Sequence, residues 1–92
     1  MFKLTVDKKE YKVRFYYGVF PNGDSLLNGI ECKILSENAV VSGGISMQGP
    51  KDKFRKSTGR KIALMRALQI FPKEKRVVFW NEYFRLSPKD KR

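Results

Sequence analysis

Up to Met47 the apolar positions of the chain alternate with polar ones; beyond Gly49-Pro50 they recur at helical spacing. Phe2, Leu4 and Val6 alternate with Lys3 and Thr5, a period of 2 that marks a strand with one apolar face. Asp7 to Glu10 is a polar turn. Tyr11, Val13, Phe15, Tyr17 and Val19 then alternate with Lys12, Arg14, Tyr16, Gly18 and Phe20, giving a long second strand. Pro21-Asn22-Gly23-Asp24 follows, and Asn-Gly is a strong hairpin signal because both residues tolerate positive φ. In the run from Leu26 to Leu35, Ile30, Cys32 and Ile34 face one way and Glu31 and Lys33 the other. Ser36-Glu37-Asn38 is the next turn, and Ala39 to Met47 is a fourth strand. Gly43-Gly44 within it predicts a bulge or a close backbone approach.

After Gly49-Pro50 the period becomes 3.6. At 100° per residue, Phe54, Thr58, Ile62, Met65 and Leu68 fall on one apolar arc, with Leu64 and Phe71 at its margin. Asp52 or Ser57 is the expected N-cap. Phe71-Pro72 ends this helix, and Pro72 is placed to open the next at its first turn. Lys73 to Leu86 carries Val77, Trp80, Tyr83 and Phe84 at helical spacing before Ser87-Pro88 stops it. A sheet with one apolar face needs a cover, and two helices supply it. The expected fold is therefore α+β: an antiparallel β-meander of about four strands followed by two C-terminal α-helices. Residues 1–88 form the expected single domain, and 89–92 are read as a charged tail that frays.

At 92 residues the chain bounds a small core, of the kind often completed by a second copy, so a homodimer or higher homo-oligomer is expected. Its 41% hydrophobic and 13% aromatic content exceed those of a disordered segment. Cys32 is the single cysteine, which rules out an internal disulfide and is expected to be a small buried apolar residue in a reducing, cytoplasmic setting. No histidine is present, which removes the commonest general base, the Ser-His and Cys-His pairs and the commonest zinc ligand. The nine carboxylates are scattered singly, and no GxxxxGK[ST] loop occurs. No enzyme, metal or cofactor is expected. No apolar stretch reaches membrane-spanning length, and the start lacks the apolar run of a signal peptide.

Charge changes the picture. Residues 1–50 carry 6 Lys/Arg and 5 Asp/Glu, whereas residues 51–92 carry 14 and 4. Lys51 to Lys61 alone holds 6 basic residues against Asp52. Lys56 and Arg60 are helical neighbours, and Lys53, Arg55 and Lys56 oppose the dipole of a helix that starts near Asp52. A phosphate-bearing partner accounts for that cost; a solvated charged face, with Lys61 snorkelling past the core edge, is the alternative. Gly59 either sits mid-helix, admitting close packing of a neighbouring backbone or close approach of a ligand, or precedes the helix as part of a basic loop. Aromatic residues interleaved with basic ones also stack nucleobases. Tyr16, Phe20 and Phe79 are the aromatics that the apolar faces leave unexplained.

The string Pro50-Lys51-Asp52-x-Phe54-x-Lys56-x-x-Gly59-Arg60-x-x-Ala63-Leu64-x-Arg66-Ala67-Leu68, followed by Arg76, Phe79-Trp80 and Tyr83, resembles small proteins of phages and prophages. In those, too, a strand-rich N-terminus runs into such a helix. In size and in the order of strands then Arg-rich helices, the chain is similar to the phage Thoeris anti-defence proteins, which bind cyclic nucleotide signals and hold them uncleaved. The resemblance implies a phage-encoded binding protein in the host cytoplasm that sequesters a phosphate-bearing cyclic nucleotide. Phe54, Lys56, Arg60 and Arg66 are its motif residues. With Lys61 and Tyr16 from the residue-level reading they form the candidate ligand site. Two other classes stay open: an anti-CRISPR-type inhibitor whose basic surface blocks a host nuclease or effector, and a small DNA- or RNA-binding accessory protein.

Overall fold

A computed structural model describes residues 2–48 and 55–91. Candidate Phe54 and the expected N-cap Asp52 lie outside them. The chain forms β1 (Phe2–Val6), β2 (Lys9–Asn22), β3 (Ser25–Ser36), β4 (Ala39–Met47), α1 (Lys56–Ala67), a 3-10 turn at Leu68–Ile70, α2 (Lys73–Leu86) and a second 3-10 turn at Pro88–Lys91. The strands pair antiparallel in the order β1-β2-β3-β4, so the fold is the expected α+β meander followed by two helices. No helix among the described residues is long and apolar enough to cross a membrane.

All three hairpins close through two-residue turns, which match the right-handed twist of the strands when φ is positive at the first position or at both. Asp7 and Lys8 have φ of 51° and 69°, Glu37 and Asn38 have 54° and 64°, and Gly23 has 63°. The middle turn is thus Gly23-Asp24, one residue later than Asn-Gly implies, because Asn22 pairs with Ser25. Lys8 and Glu37 occupy the left-handed region without the local hydrogen bonding that eases Asn or Asp into it.

Both helices cover one face of the sheet, with α1 across β4 and β3 and α2 beside β1. Phe2, Val6, Tyr11, Val13, Ile30, Cys32 and Ile34 point into the core and meet Ala63, Leu64, Ala67, Leu68, Phe71, Phe79 and Tyr83. The buried side of α1 follows the arc that periodicity selects only in part: Leu68 on it and Leu64 and Phe71 at its margin are buried, but the rest is displaced. Met65 is half exposed and Thr58 is exposed, while Gly59, Ala63 and Ala67 are buried. The reason lies opposite: the inward row of β4 is Ser42, Gly44 and Ser46, too small to fill a gap, so α1 turns its own small residues down and comes close. A Cβ added at Gly44 would lie 2.4 Å from the Ala63 carbonyl oxygen and 2.6 Å from the Ala67 nitrogen. The Ser42 hydroxyl donates to the Ala67 carbonyl. Gly59 therefore lies inside the helix and packs on Ile30.

Three further expectations change. The N-cap is Arg55, without a side-chain bond to the first turn, rather than Ser57. In α2 the fully buried residue is Phe79, held 5.5 Å from Tyr11 and 5.0 Å from Phe71 between ring centroids, whereas Val77 is exposed. Pro72 serves as the N-cap of α2, its carbonyl accepting from the Lys75 and Arg76 amides.

Two stability outcomes follow. Lys8→Gly and Glu37→Gly are each expected to stabilise the fold by about 1 kcal/mol through relief of the left-handed backbone, read as a rise of the thermal midpoint by roughly 4–8 °C. Gly44→Ala is expected to cost about 1–3 kcal/mol because it meets backbone. Gly59→Ala is expected to be near neutral: the added carbon meets only the mobile end of Ile30, 2.7 Å away, and helix propensity returns roughly 1 kcal/mol. Urea unfolding of the two glycine variants distinguishes them.

Candidate functional site

The turn of α1 that follows its uncapped N-terminus faces the point where β2 outruns the helical cover. Arg60 reaches across it. Its Nε donates to the Tyr83 hydroxyl at 3.3 Å, one terminal nitrogen to the Tyr17 hydroxyl at 3.2 Å, and the other to the Asp90 carboxylate at 3.0 Å. The Tyr83 hydroxyl donates to the same Asp90 oxygen. Lys61 donates to the Asp90 main-chain carbonyl at 2.9 Å, which explains why a basic residue falls inside an apolar arc. Lys56, one turn before Arg60, places its amine 5.4 Å from the centre of the Tyr17 ring.

Arg60, Tyr17 and Tyr83 line a cleft of about 430 Å³, together with Phe2, Phe15, Leu86 and Ser87. Tyr83 is its inner wall, packed edge-on by Phe15 at 6.0 Å and by Trp80 at 5.9 Å. Tyr17 is half exposed at the mouth. The cleft thus presents aromatic walls, one cation inside and one at the rim, which suits a flat apolar group attached to an anion.

The electrostatics follow from burial and pairing. Burial disfavours the Arg60 charge, but the bonds to Tyr17, Tyr83 and Asp90 outweigh it and hold the guanidinium protonated beyond its usual range. Burial alone would raise the Asp90 pKa; bonds from Tyr83 and Arg60, with the charges of Arg60 and Lys61, bring it below the usual carboxylate value. Burial, then Asp90, pushes the Tyr83 phenol up to about 12. Cys32, fully buried in the sheet core, has its thiol pushed up to about 12 by burial and is chemically quiet.

The structure brings together only part of the sequence-derived set. Lys56 and Arg60 meet at the cleft, with Lys61 beside them. Arg66 lies further along α1 and donates instead to the Ile45 carbonyl of edge strand β4. Tyr16 points from the opposite face of the sheet, away from the cleft, with Lys33 5.2 Å from its ring centre. Tyr17 and Asp90 are the residues that sequence reasoning missed. Tyr17 reads as one more member of an apolar row, and its hydroxyl is the signal that it ends at a polar edge. Asp90 falls in the segment read as a fraying tail. In fact Pro88–Lys91 folds back, Asp90 is buried, and the domain extends past residue 88. Among the described residues no three His, Cys, Asp or Glu side chains converge as a metal site would require.

Neither a family model, nor a curated protein, nor a solved structure matches this chain.

The Asp90 network has a pH signature. A carboxyl with a lowered folded pKa adds stability that is complete above its unfolded value, roughly 3.9, and is lost as pH falls through the folded value. A phenol with a raised pKa adds stability that is complete below roughly 10 and is lost as pH rises toward about 12. Asp90→Asn is expected to cost about 1.5–3 kcal/mol at neutral pH and to flatten the acid limb of a plot of urea midpoint against pH. Tyr83→Phe is expected to flatten the alkaline limb.

Proposed function

We propose that the cleft between β2, α1 and α2 binds a phosphate-bearing nucleotide and holds it uncleaved. In the phage setting that the α1 motif resembles, this would sequester a cyclic nucleotide signal in the cytoplasm of the infected cell. One observation carries the reading: Lys56 and Arg60, one helical turn apart, converge on the half-exposed Tyr17 ring at the mouth of an aromatic cleft. A cation over a ring and a cation at its hydroxyl leave room for a base against Phe15 and Tyr17 and for a phosphate between Lys56 and Arg60. The cleft volume lies within the range of small-ligand pockets, roughly 300–1,000 Å³. The first turn of α1 has no side-chain cap, and helix N-termini favour anions.

Holding without cleavage is consistent with the groups at hand. Asp90, the carboxylate bonded to the cleft residues Arg60 and Tyr83, already accepts from both and is held ionised by them. A carboxylate so paired is a weak base for activating a water or a ribose hydroxyl. An open cleft on one small domain also leaves part of such a ligand in water, and a second copy closing over it is the oligomer proposed here.

The test incubates the purified protein with a panel of cyclic nucleotides and cyclic ADP-ribose isomers, removes the protein, and runs the filtrate by HPLC before and after heat release. One compound is expected to vanish and to return unchanged. Lys56→Glu and Tyr17→Ala, at positions outside the core, are each expected to weaken that depletion about 10- to 100-fold. Depletion of nothing, or release of a cleaved product, overturns the proposal.

A further inference from the structure

The helices leave the second face of the sheet uncovered, and its pattern is not that of a merely solvated surface. Adjacent rows there oppose like charges directly across the strands: Lys3 faces Lys12, and Arg14 faces Lys33. Four cations share the face with two carboxylates, Glu10 and Glu31. Directly opposed like charges destabilise a sheet, and a face selected for stability alone would alternate signs. The Arg14 Nε is also shielded from solvent with no hydrogen-bond partner among the described residues, although its neighbours could have included a carboxylate at position 33.

Next to the cations the face carries rings. Tyr16 is 41% exposed, with the Lys33 amine over it. The Phe20 ring lies against Gly29, where an added Cβ would come 2.9 Å from it. Gly18 and Gly29 pair between the two rings and raise no side chain between them. The result is a shallow strip with two π-faces and a file of cations along β2, Lys12 and Arg14 being roughly 7 Å apart along the strand. That spacing is close to the phosphate repeat of an extended nucleotide strand.

We infer that this open face binds single-stranded nucleic acid, with the backbone phosphates on Lys12, Arg14 and Lys33 and unpaired bases stacked on Tyr16 and Phe20. The choice between nucleic-acid forms rests on the rings. A duplex would use the cations but keeps its bases stacked on one another, whereas a single strand uses both. The inference is independent of the cleft, which opens on the other side of the sheet.

Fluorescence anisotropy tests it, with a labelled mixed-sequence 12-nucleotide DNA and its RNA counterpart, a duplex of the same length, and an acidic poly-glutamate peptide. Tight, salt-sensitive binding of the single strands is expected, weaker for duplex and for peptide. Tyr16→Ala is expected to weaken single-strand binding about 5- to 100-fold. Arg14→Glu turns a like-charge pair into an opposite-charge one. It is therefore expected to raise the thermal midpoint while lowering single-strand affinity more than 10-fold, so that loss of binding cannot be loss of fold. Lys56→Glu and Tyr17→Ala should leave single-strand affinity within about 3-fold, and Arg14→Glu should leave the depletion of small nucleotides unchanged. Absence of single-strand binding at low salt, preference for the duplex or the peptide, or indifference to Arg14→Glu and Tyr16→Ala each overturns the inference.

Discussion

The close seat of α1 on β4 governs the rest of the molecule. Ser42, Gly44 and Ser46 on the strand and Ala63 and Ala67 on the helix offer almost no side chain to each other, and Gly59 brings the same helix face down on Ile30 of β3. The contact works because the backbones come together, and it sets how α1 is turned about its axis. With the small stripe facing the sheet, Met65 and Thr58 point outward and Arg60 is carried over the edge of β2. A larger residue at Gly44, where an added Cβ meets the Ala63 and Ala67 backbone, would lift the helix and separate the Arg60 guanidinium from the Tyr17 hydroxyl, 3.2 Å away. The packing of the core and the geometry of the cleft are therefore one constraint.

The second tie runs through Asp90. Without it, Arg60 would lean across an aromatic wall with only two phenols as partners, and the last turn would have no anchor. With it, the guanidinium, the Tyr83 hydroxyl and the carboxylate form a closed set, and Lys61 holds the main chain of the same residue. Much of the positive charge that α1 carries is answered inside the protein. A phosphate arriving at the cleft would compete with Asp90 for Arg60, and it would find Lys56 over the Tyr17 ring.

The strands were legible in the sequence because one buried face and one open face produce a period of 2 that register alone must satisfy. Phe2, Val13, Ile34 and Ser42 lie in one row across four strands, as that alternation requires. The helix faces were legible only in part: Leu64, Leu68 and Tyr83 are buried as their spacing requires, but periodicity weighs the size of apolar residues, and α1 buries small ones as well. Ile62 and Met65 outweigh Gly59 and Ala63 on any hydrophobic scale, yet the facing strand has no room to offer them. Phe79 was missed for the complementary reason: it belongs to a ring cluster with Tyr11 and Phe71 that only the docking of α2 assembles. The candidate site was half legible. Lys56 and Arg60 announce themselves by charge at i, i+4, but Asp90 lies 30 residues from Arg60, and no local pattern links them.

Charge counted along the chain also misleads about where an anion would go. The basic half of the sequence spends Arg60, Lys61, Arg66 and Arg85 on acceptors within the fold. The other half, close to neutral in sum, sorts its charges by strand face. Alternation sends Lys3, Lys12, Arg14 and Lys33 to one side, and the hairpin registers then set them against each other in pairs. A linear tally averages that side with Asp7, Asp24 and Glu37 in the turns and sees nothing. Net charge describes solubility and encounter with polyanions; which surface presents its cations together is decided by register, and here register sets four of them, against two carboxylates, on the face that no helix covers.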